Sequence, residues 1–293
     1  MSNAQRSPRL LRSILVITTA LLFTTQVYAA DTRTHQQKAE DEEKTWFKIG
    51  TSPGNLADMT RDIFIPTFEA QEDPTYRLDL TTVLDVGIAN VSVEQKTLDF
   101  NIVQHKLSME KFNEEQDSIL YPLAQVPTVP YGLYPGRLKR LTDIKQGATI
   151  AIPSGPIDFA RGLRMLENLG WIQLRTDLVD PYSADIKDII NNPYHIEIKK
   201  VPVSSIASRE RIYDYRIITG TYAYDAKIPL SEMLYQEPGR DFINWIVINQ
   251  ENREKPWVKL MQKIADSAEF KAYSYEKFPG FLYPSSWEKN PKR

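Results

Sequence analysis

The run Thr149-Ile-Ala-Ile-Pro-Ser-Gly-Pro-Ile-Asp-Phe-Ala-Arg161-Gly-Leu-Arg-Met-Leu constrains the fold more than any other segment of the chain. Ile150 to Ile152 is an unbroken apolar stretch and reads as a buried strand. Pro153-Ser-Gly-Pro156 is a sharp turn, and from Asp158 onward the apolar residues recur at helical spacing. A buried strand that feeds directly into a helix is the building unit of an open α/β sheet, and such sheets take ligands at the loops beyond their strand carboxyl ends. The N–H groups at a helix start attract anions. An arginine in the first turn, Arg161, can close a two-bond fork on a carboxylate. The segment predicts a site for a small carboxylate.

The same alternation runs along the chain. Trp46 to Thr51 reads as a strand and Leu56 to Phe68 as a helix with Met59, Ile63 and Phe64 on one face. Strands follow at Leu78 to Val86 and Leu98 to Gln104, with short helices over Val91 to Lys96 and His105 to Glu115. The second half predicts helices over Asp158 to Gly170, Ser183 to Asn191, Ser204 to Tyr213 and Tyr222 to Lys227. It predicts strands over Ile196 to Val201, Tyr215 to Thr219 and Phe242 to Asn249. Lys255 to Phe278 is helical with a break near Ser267, and the tail Phe281 to Trp287 packs down. Strands alternating with helices imply parallel sheets joined by βα crossovers. The four prolines in Tyr121 to Tyr134 and the break at Glu237-Pro-Gly239 mark two crossings between lobes. The predicted architecture is α/β and bilobal, each lobe a central sheet flanked by helices, with the ligand cleft between them. Residues 46–129 and 238–288 form lobe 1, and 130–237 form lobe 2.

The ends and the charge bound the cellular setting. Arg6, Arg9 and Arg12 precede an apolar stretch from Ser13 to Thr25 that is too short to span a bilayer, and Val27-Tyr28-Ala29 supplies small residues two apart. Residues 1–29 read as a signal peptide cleaved after Ala29, and the polar residues 30–45 as a disordered leader. Removing the three arginines takes the formal charge from −2 to about −5, which argues against nucleic acid as a partner. The chain has no cysteine, so it has neither disulfides nor a lipobox residue to acylate. The expected location is a periplasm, with the protein soluble after cleavage and touching the membrane only through a partner.

Asp99-Phe-Asn-Ile-Val-Gln-His-Lys106 resembles the D-x-N-x-F-Q-H-K motif of the NlpA/MetQ family of periplasmic methionine-binding proteins of ABC importers. Gly132-Leu-Tyr, Leu141-Thr-Asp-Ile, Gly147-Ala-Thr-Ile-Ala-Ile-Pro153, Asp158-Phe-Ala-Arg161, Thr221-Tyr-Ala223 and Asn244-Trp-Ile-Val247 follow in the family's order and spacing. The resemblance covers roughly residues 46 to 287. It implies a bilobal binding-protein fold that closes on an amino acid, and an ABC permease and ATPase as partners. By position it implies that Arg161 holds the ligand carboxylate and that His105, Asn244 and Asn90 are pocket residues. The tail end departs from the family. Val86 stands where the family has tyrosine, Val103 where it has phenylalanine, Ser108 where it has tyrosine, and Asp158 and Thr219 where it has asparagines. A methionine thioether gains about 0.3–1.5 kcal/mol from each good aromatic contact. Loss of the rings therefore predicts a wider pocket, for an amino-acid-like head group with a methionine, methionine-derivative, bulkier amino-acid or short-peptide tail.

Each of these residues also has a plainer reading. Arg161 can be a surface arginine, His105 a structural histidine, and Asp158 the N-cap of its helix rather than a ligand acceptor. Tyr131, Tyr134, Tyr222 and Trp245 read as core or hinge aromatics rather than ligand stackers. No histidine pair stands at metal-ligand spacing, and neither a nucleophile elbow nor a P-loop is present. No metal, cofactor or catalytic role is therefore expected, and the chain is expected to act as a monomer. The alternatives to transport are a ligand-binding sensor or scavenger and, last, a hydrolase.

Overall fold

The computed structural model describes residues 44–70 and 73–287. The expected signal peptide, and the expected leader up to residue 43, lie outside the described residues. Thr45, placed in the leader by composition, already opens the first strand.

The chain runs through β1 (Thr45–Thr51), α1 (Asn55–Met59), a π-helical turn (Thr60–Phe64) and α2 (Ile65–Glu69). It continues with β2 (Tyr76–Thr82), α3 (Val86–Glu94), β3 (Phe100–His105), α4 (Lys106–Gln116) and β4 (Leu120–Gln125). Next come β5 (Gly132–Pro135), β6 (Thr149–Pro153), α5 (Pro156–Asn168), β7 (Gln173–Leu174) and β8 (Ile189–Asn191). After them stand β9 (Glu197–Val201), α6 (Val203–Ile206), β10 (Tyr215–Ile218), α7 (Gly220–Asp225) and β11 (Tyr235–Gln236). The last elements are β12 (Asn244–Asn249), α8 (Pro256–Ala265) and α9 (Ala268–Lys277).

Two five-stranded sheets result, in the orders β2-β1-β3-β12-β4 and β11-β5-β10-β6-β9. Both are mixed, which corrects the expectation of parallel sheets. One side of each sheet is parallel, as βα crossovers require, at β1/β2, β1/β3, β6/β9 and β6/β10. The antiparallel strands stand where the chain changes sheets. β5 enters the second sheet from the first, and β12 returns to the first between β3 and β4. Pro122 is tolerated in β4 because that strand is a sheet edge.

Side-chain alternation distributes each sheet between two apolar layers. In β12, Ile246 and Ile248 join the large cluster with Phe47, Phe64, Phe100 and Phe270, while Val247 points to the opposite face with Val93 and Met109. In β6, Ile150 and Ile152 meet Phe159, Leu163 and Trp171, and Ala151 meets Tyr134 and Ile218. This period of two is what a strand covered on both faces requires. Gly162 of α5 sits where an added Cβ would lie 2.4 Å from Ile152 Cγ2, so the helix bearing Arg161 packs tightly on β6.

Local chemistry explains where the sequence expectations miss. The helix over 56–68 contains a π turn because Pro66, lacking an N–H, cannot continue the ordinary ladder. The helix expected over 183–191 is a single 3-10 turn, Ile186–Asp188. Asp185 and Asp188 cap one another's backbone and close it, and the β-branched residues after it form β8 against β7. The helix expected over 204–213 stops at Ile206. The Ser205 hydroxyl donates back to Pro202 O at the start of the turn, and the Arg216 guanidinium from β10 donates to Ala207 O just past its end, so the carbonyls on either side of the turn have side-chain partners.

The chain passes between the sheets at residues 126–131 and again at 237–243. The first passage is pinned at Thr128, whose N–H and C=O pair with Leu282 at 2.9 Å each and whose Oγ1 accepts the Asn244 N–H at 2.8 Å. The tail is thereby tied to both crossings, and Phe281 and Trp287 are buried as expected.

Candidate ligand site

The cavity lies where strand carboxyl ends from both sheets converge, and its volume is about 520 Å³. The first sheet contributes Val103, Gln104 and His105 from the end of β3, Ser108 from α4, Val86 from α3, and Asn244 from the start of β12. Asn244 stands opposite His105 because β12 runs antiparallel to β3. The second sheet contributes Asp158 and Arg161 from α5, and Thr219, Gly220 and Tyr222 from the β10–α7 junction. Eight of the nine residues expected at a ligand site therefore share one cavity.

Arg161 is 7% exposed and is held on every side. Its Nε donates to Glu237 Oε1 at 2.9 Å and its Nη2 to Glu237 Oε2 at 2.6 Å, a two-bond fork. Its Nη1 donates to Asp158 Oδ1 at 2.8 Å. The guanidinium carbon lies 3.9 Å from the Phe242 ring centroid and 4.3 Å from that of Tyr131. Tyr131 is fixed in turn, its hydroxyl donating to Asp158 O at 2.9 Å. Burial, and then Asp158, hold the Tyr131 phenol protonated by raising its pKa well above the ordinary value. The sequence places Arg161 correctly on the helix that follows the strand, but in its second turn rather than its first, because the helix already starts at Pro156, and its carboxylate partner in this structure is the protein's own Glu237.

Asp158 is not a helix cap. Gly155 occupies the N-cap position, and Asp158 sits inside the first turn, three residues before the arginine it pairs with. Thr219 lines the cavity, and its buried Oγ1 has no hydrogen-bond partner among the described residues, which suits a ligand contact.

His105 ends β3 and caps α4, where its Nδ1 accepts the Ser108 N–H at 3.3 Å. Ser108 Oγ lies 3.2 Å from its Nε2. Burial first, and the Arg161 charge second, push the imidazole pKa down to about 3. His105 is therefore a neutral group across the physiological range. The Phe242 ring meets it edge-on at 4.8 Å.

Asn90 is the exception among the expected site residues. It is fully buried and does not line the cavity. Its Nδ2 donates to Gln104 Oε1 at 3.0 Å, and its Oδ1 accepts from Asn101 Nδ2 at 3.0 Å and from Gln104 Nε2. This amide triad lies behind Gln104, which does reach the cavity, and fixes the end of β3.

Four of the lining residues that sequence reasoning misses bear directly on Arg161 or add rings to the cavity. Glu237 and Phe242 lie on the second crossing, where no periodicity marks them. Tyr131 and Tyr222 line the cavity as well, and Tyr131 covers one face of Arg161, against the expectation of purely core or hinge aromatics. Among the described residues no group of three or more His, Asp or Glu could hold a metal, and no helix is long and apolar enough to cross a membrane.

Comparison with known proteins identifies the family. Residues 47–286 match the NlpA lipoprotein family. The methionine-binding lipoprotein MetQ of Bacillus subtilis is 28% identical over 217 residues, covering 72% of this chain and 79% of that protein. Outer membrane lipoprotein 3 of Mannheimia haemolytica is 27% identical over 215 residues, covering 73% of this chain and 81% of that one. The structure of a nutrient binding protein from Burkholderia cenocepacia bound to methionine superposes with a TM-score of 0.75 at 23% identity, covering 82% of this chain and 99% of that one. The superposition confirms the expected bilobal binding-protein fold. The lipoprotein names of the relatives run against the expectation of an unanchored protein.

Proposed function

This chain belongs to the NlpA lipoprotein family, and we propose that it is a substrate-binding protein that closes on an amino-acid-like ligand and delivers it to an ABC permease driven by an ATPase. The observation that carries this reading is the shared cavity. About 520 Å³ is enough for an amino acid or a small peptide, and its walls come from both sheets. A ligand in such a space touches both halves at once and so favours the closed arrangement over the open one.

The residues divide the work. Asp158 and Glu237 offer acceptors for an ammonium group. Asn244, Thr219 and the neutral His105 offer uncharged polar contacts. Val86, Val103 and Ser108 contribute no aromatic rings, and the rings that line the cavity come from Tyr131, Tyr222 and Phe242 instead. The matched relatives bear the names of lipoproteins and binding proteins, and no name describes catalysis. We place the protein outside the cytoplasmic membrane, in keeping with the outer-membrane name of the Mannheimia haemolytica relative.

Calorimetric titration of the purified protein with free amino acids, methionine derivatives and short peptides tests this. One ligand per chain, with compaction in solution scattering on binding, is the expected result. Failure of every compound in the panel to bind would remove the reading.

A further inference from the structure

We propose that Glu237 fills the carboxylate seat on Arg161 and so makes this a site for amphipathic amines without a free carboxylate next to the amine, rather than for ordinary zwitterionic amino acids. The proposal rests on the amino-acid-like reading of the cavity and specifies which head group that cavity accepts.

Three observations carry it. The first is the geometry of the fork. Arg161 Nε and Nη2 both donate to Glu237, Nη1 donates to Asp158, and rings cover both faces of the guanidinium. A ligand carboxylate would need the edge that Glu237 holds. The second is charge. The lining residues include three carboxylates, Asp85, Asp158 and Glu237, and a single base, Arg161. With His105 neutral, the ionisable lining is net negative. The third is position. Glu237 lies on the second crossing, and its backbone N–H is fixed at 2.9 Å to Tyr131 O, so the carboxylate is delivered to the arginine by a tethered residue.

A zwitterion entering this site meets an attractive end and a repelled end. Its ammonium finds Asp158 or Glu237. Its carboxylate must either displace Glu237 into a pocket already rich in carboxylates or stay unpaired beside it, and like charges placed close together in a partly dry site are strongly unfavourable. An amino alcohol or an amide keeps the ammonium and the tail and removes the conflict.

The test is calorimetry on the full chain with matched pairs: methionine and methioninol, phenylalanine and phenylalaninol, and leucine and leucinamide. The partner of a pair that lacks the carboxylate is expected to bind about tenfold or more tightly than its acid, in line with the like-charge penalty. Glu237→Gln removes the resident charge from the fork and is expected to narrow or reverse that ratio. Acids that bind wild type as tightly as their partners would overturn the inference while leaving the amino-acid reading in place. If no member of any pair binds, both fail together. Should Glu237→Gln not fold, as circular dichroism would report, the wild-type ratios decide alone.

Discussion

Replacing Arg161 with alanine tests whether the guanidinium is held by the protein or held in reserve for a ligand. The side chain makes three charged hydrogen bonds, two to Glu237 at 2.9 and 2.6 Å and one to Asp158 at 2.8 Å. The Glu237 side chain is 15% exposed and that of Asp158 31%, so truncation leaves one nearly buried and one partly buried carboxylate without a counter-charge. Breaking a buried pair by removing one partner typically costs about 3–5 kcal/mol. The partial exposure of Asp158 puts the expectation near the lower end, about 3 kcal/mol. Against a typical domain stability of about 5–15 kcal/mol, that shifts a urea midpoint visibly without abolishing the fold. Urea unfolding followed by tryptophan fluorescence, with the slope unchanged, measures it. The double variant Arg161→Ala/Glu237→Ala should recover much of the loss, because removing both partners leaves less unpaired charge behind. A single variant within about 0.5 kcal/mol of wild type would refute the internal pairing, since only surface positions tolerate such changes so well.

Stability should also respond to pH through His105. Its folded pKa is about 3 against an ordinary value of 6.5, so between those limits only the unfolded chain takes up the proton. Stability is therefore full above pH 6.5 and falls as pH drops toward 3, by a few kcal/mol in all. His105→Gln should flatten the slope between pH 6.5 and 5, and an unchanged slope there would refute a neutral, buried imidazole. Gly220→Ala should lower the melting temperature sharply, because the added Cβ would lie 2.1 Å from Val129 O, a backbone atom of the first crossing. Gly155→Ala, which meets nothing within 4 Å, is the control and should melt close to wild type. Asn90→Ala should cost about 1–3 kcal/mol in a denaturant titration by leaving buried amides of Asn101 and Gln104 short of partners. Its effect on ligand affinity should be the smaller one, because Asn90 stands behind the cavity wall.

The two-sheet architecture was legible because its signals are local. β6 and α5 could be read from one apolar run, one turn and one helical period, and Phe159, Leu163 and Leu166 are buried on the predicted face. The direction of β5 and β12 was not legible in the same way. Strand direction depends on which sheet the chain has just left, and no residue in Asn244–Asn249 encodes that. The false helices over 183–191 and 204–213 failed for a related reason. Their composition permits helix, but reciprocal aspartate caps end the first, and an arginine 10 residues past Ile206, on another strand, occupies the carbonyl beyond the end of the second.

The site divides along the same line. His105 and Thr219 stand at strand-to-helix junctions, and Asp158 and Arg161 in the first two helical turns after one, where the chain advertises its ligand edge by a change of period. Glu237 and Phe242 arrive at the same cavity from a connecting segment, where residue type carries no information about partner. A glutamate followed by Pro-Gly reads as a solvated turn, and nothing in its neighbourhood names an arginine 76 residues away. Yet that pairing determines what the arginine can do. A free guanidinium at a helix start predicts a carboxylate ligand, whereas one whose fork is filled by a tethered glutamate predicts the opposite head-group charge. Sequence position alone can thus assign Arg161 to the pocket, but the sign of the ligand that the pocket prefers follows only from the crossing that closes over it.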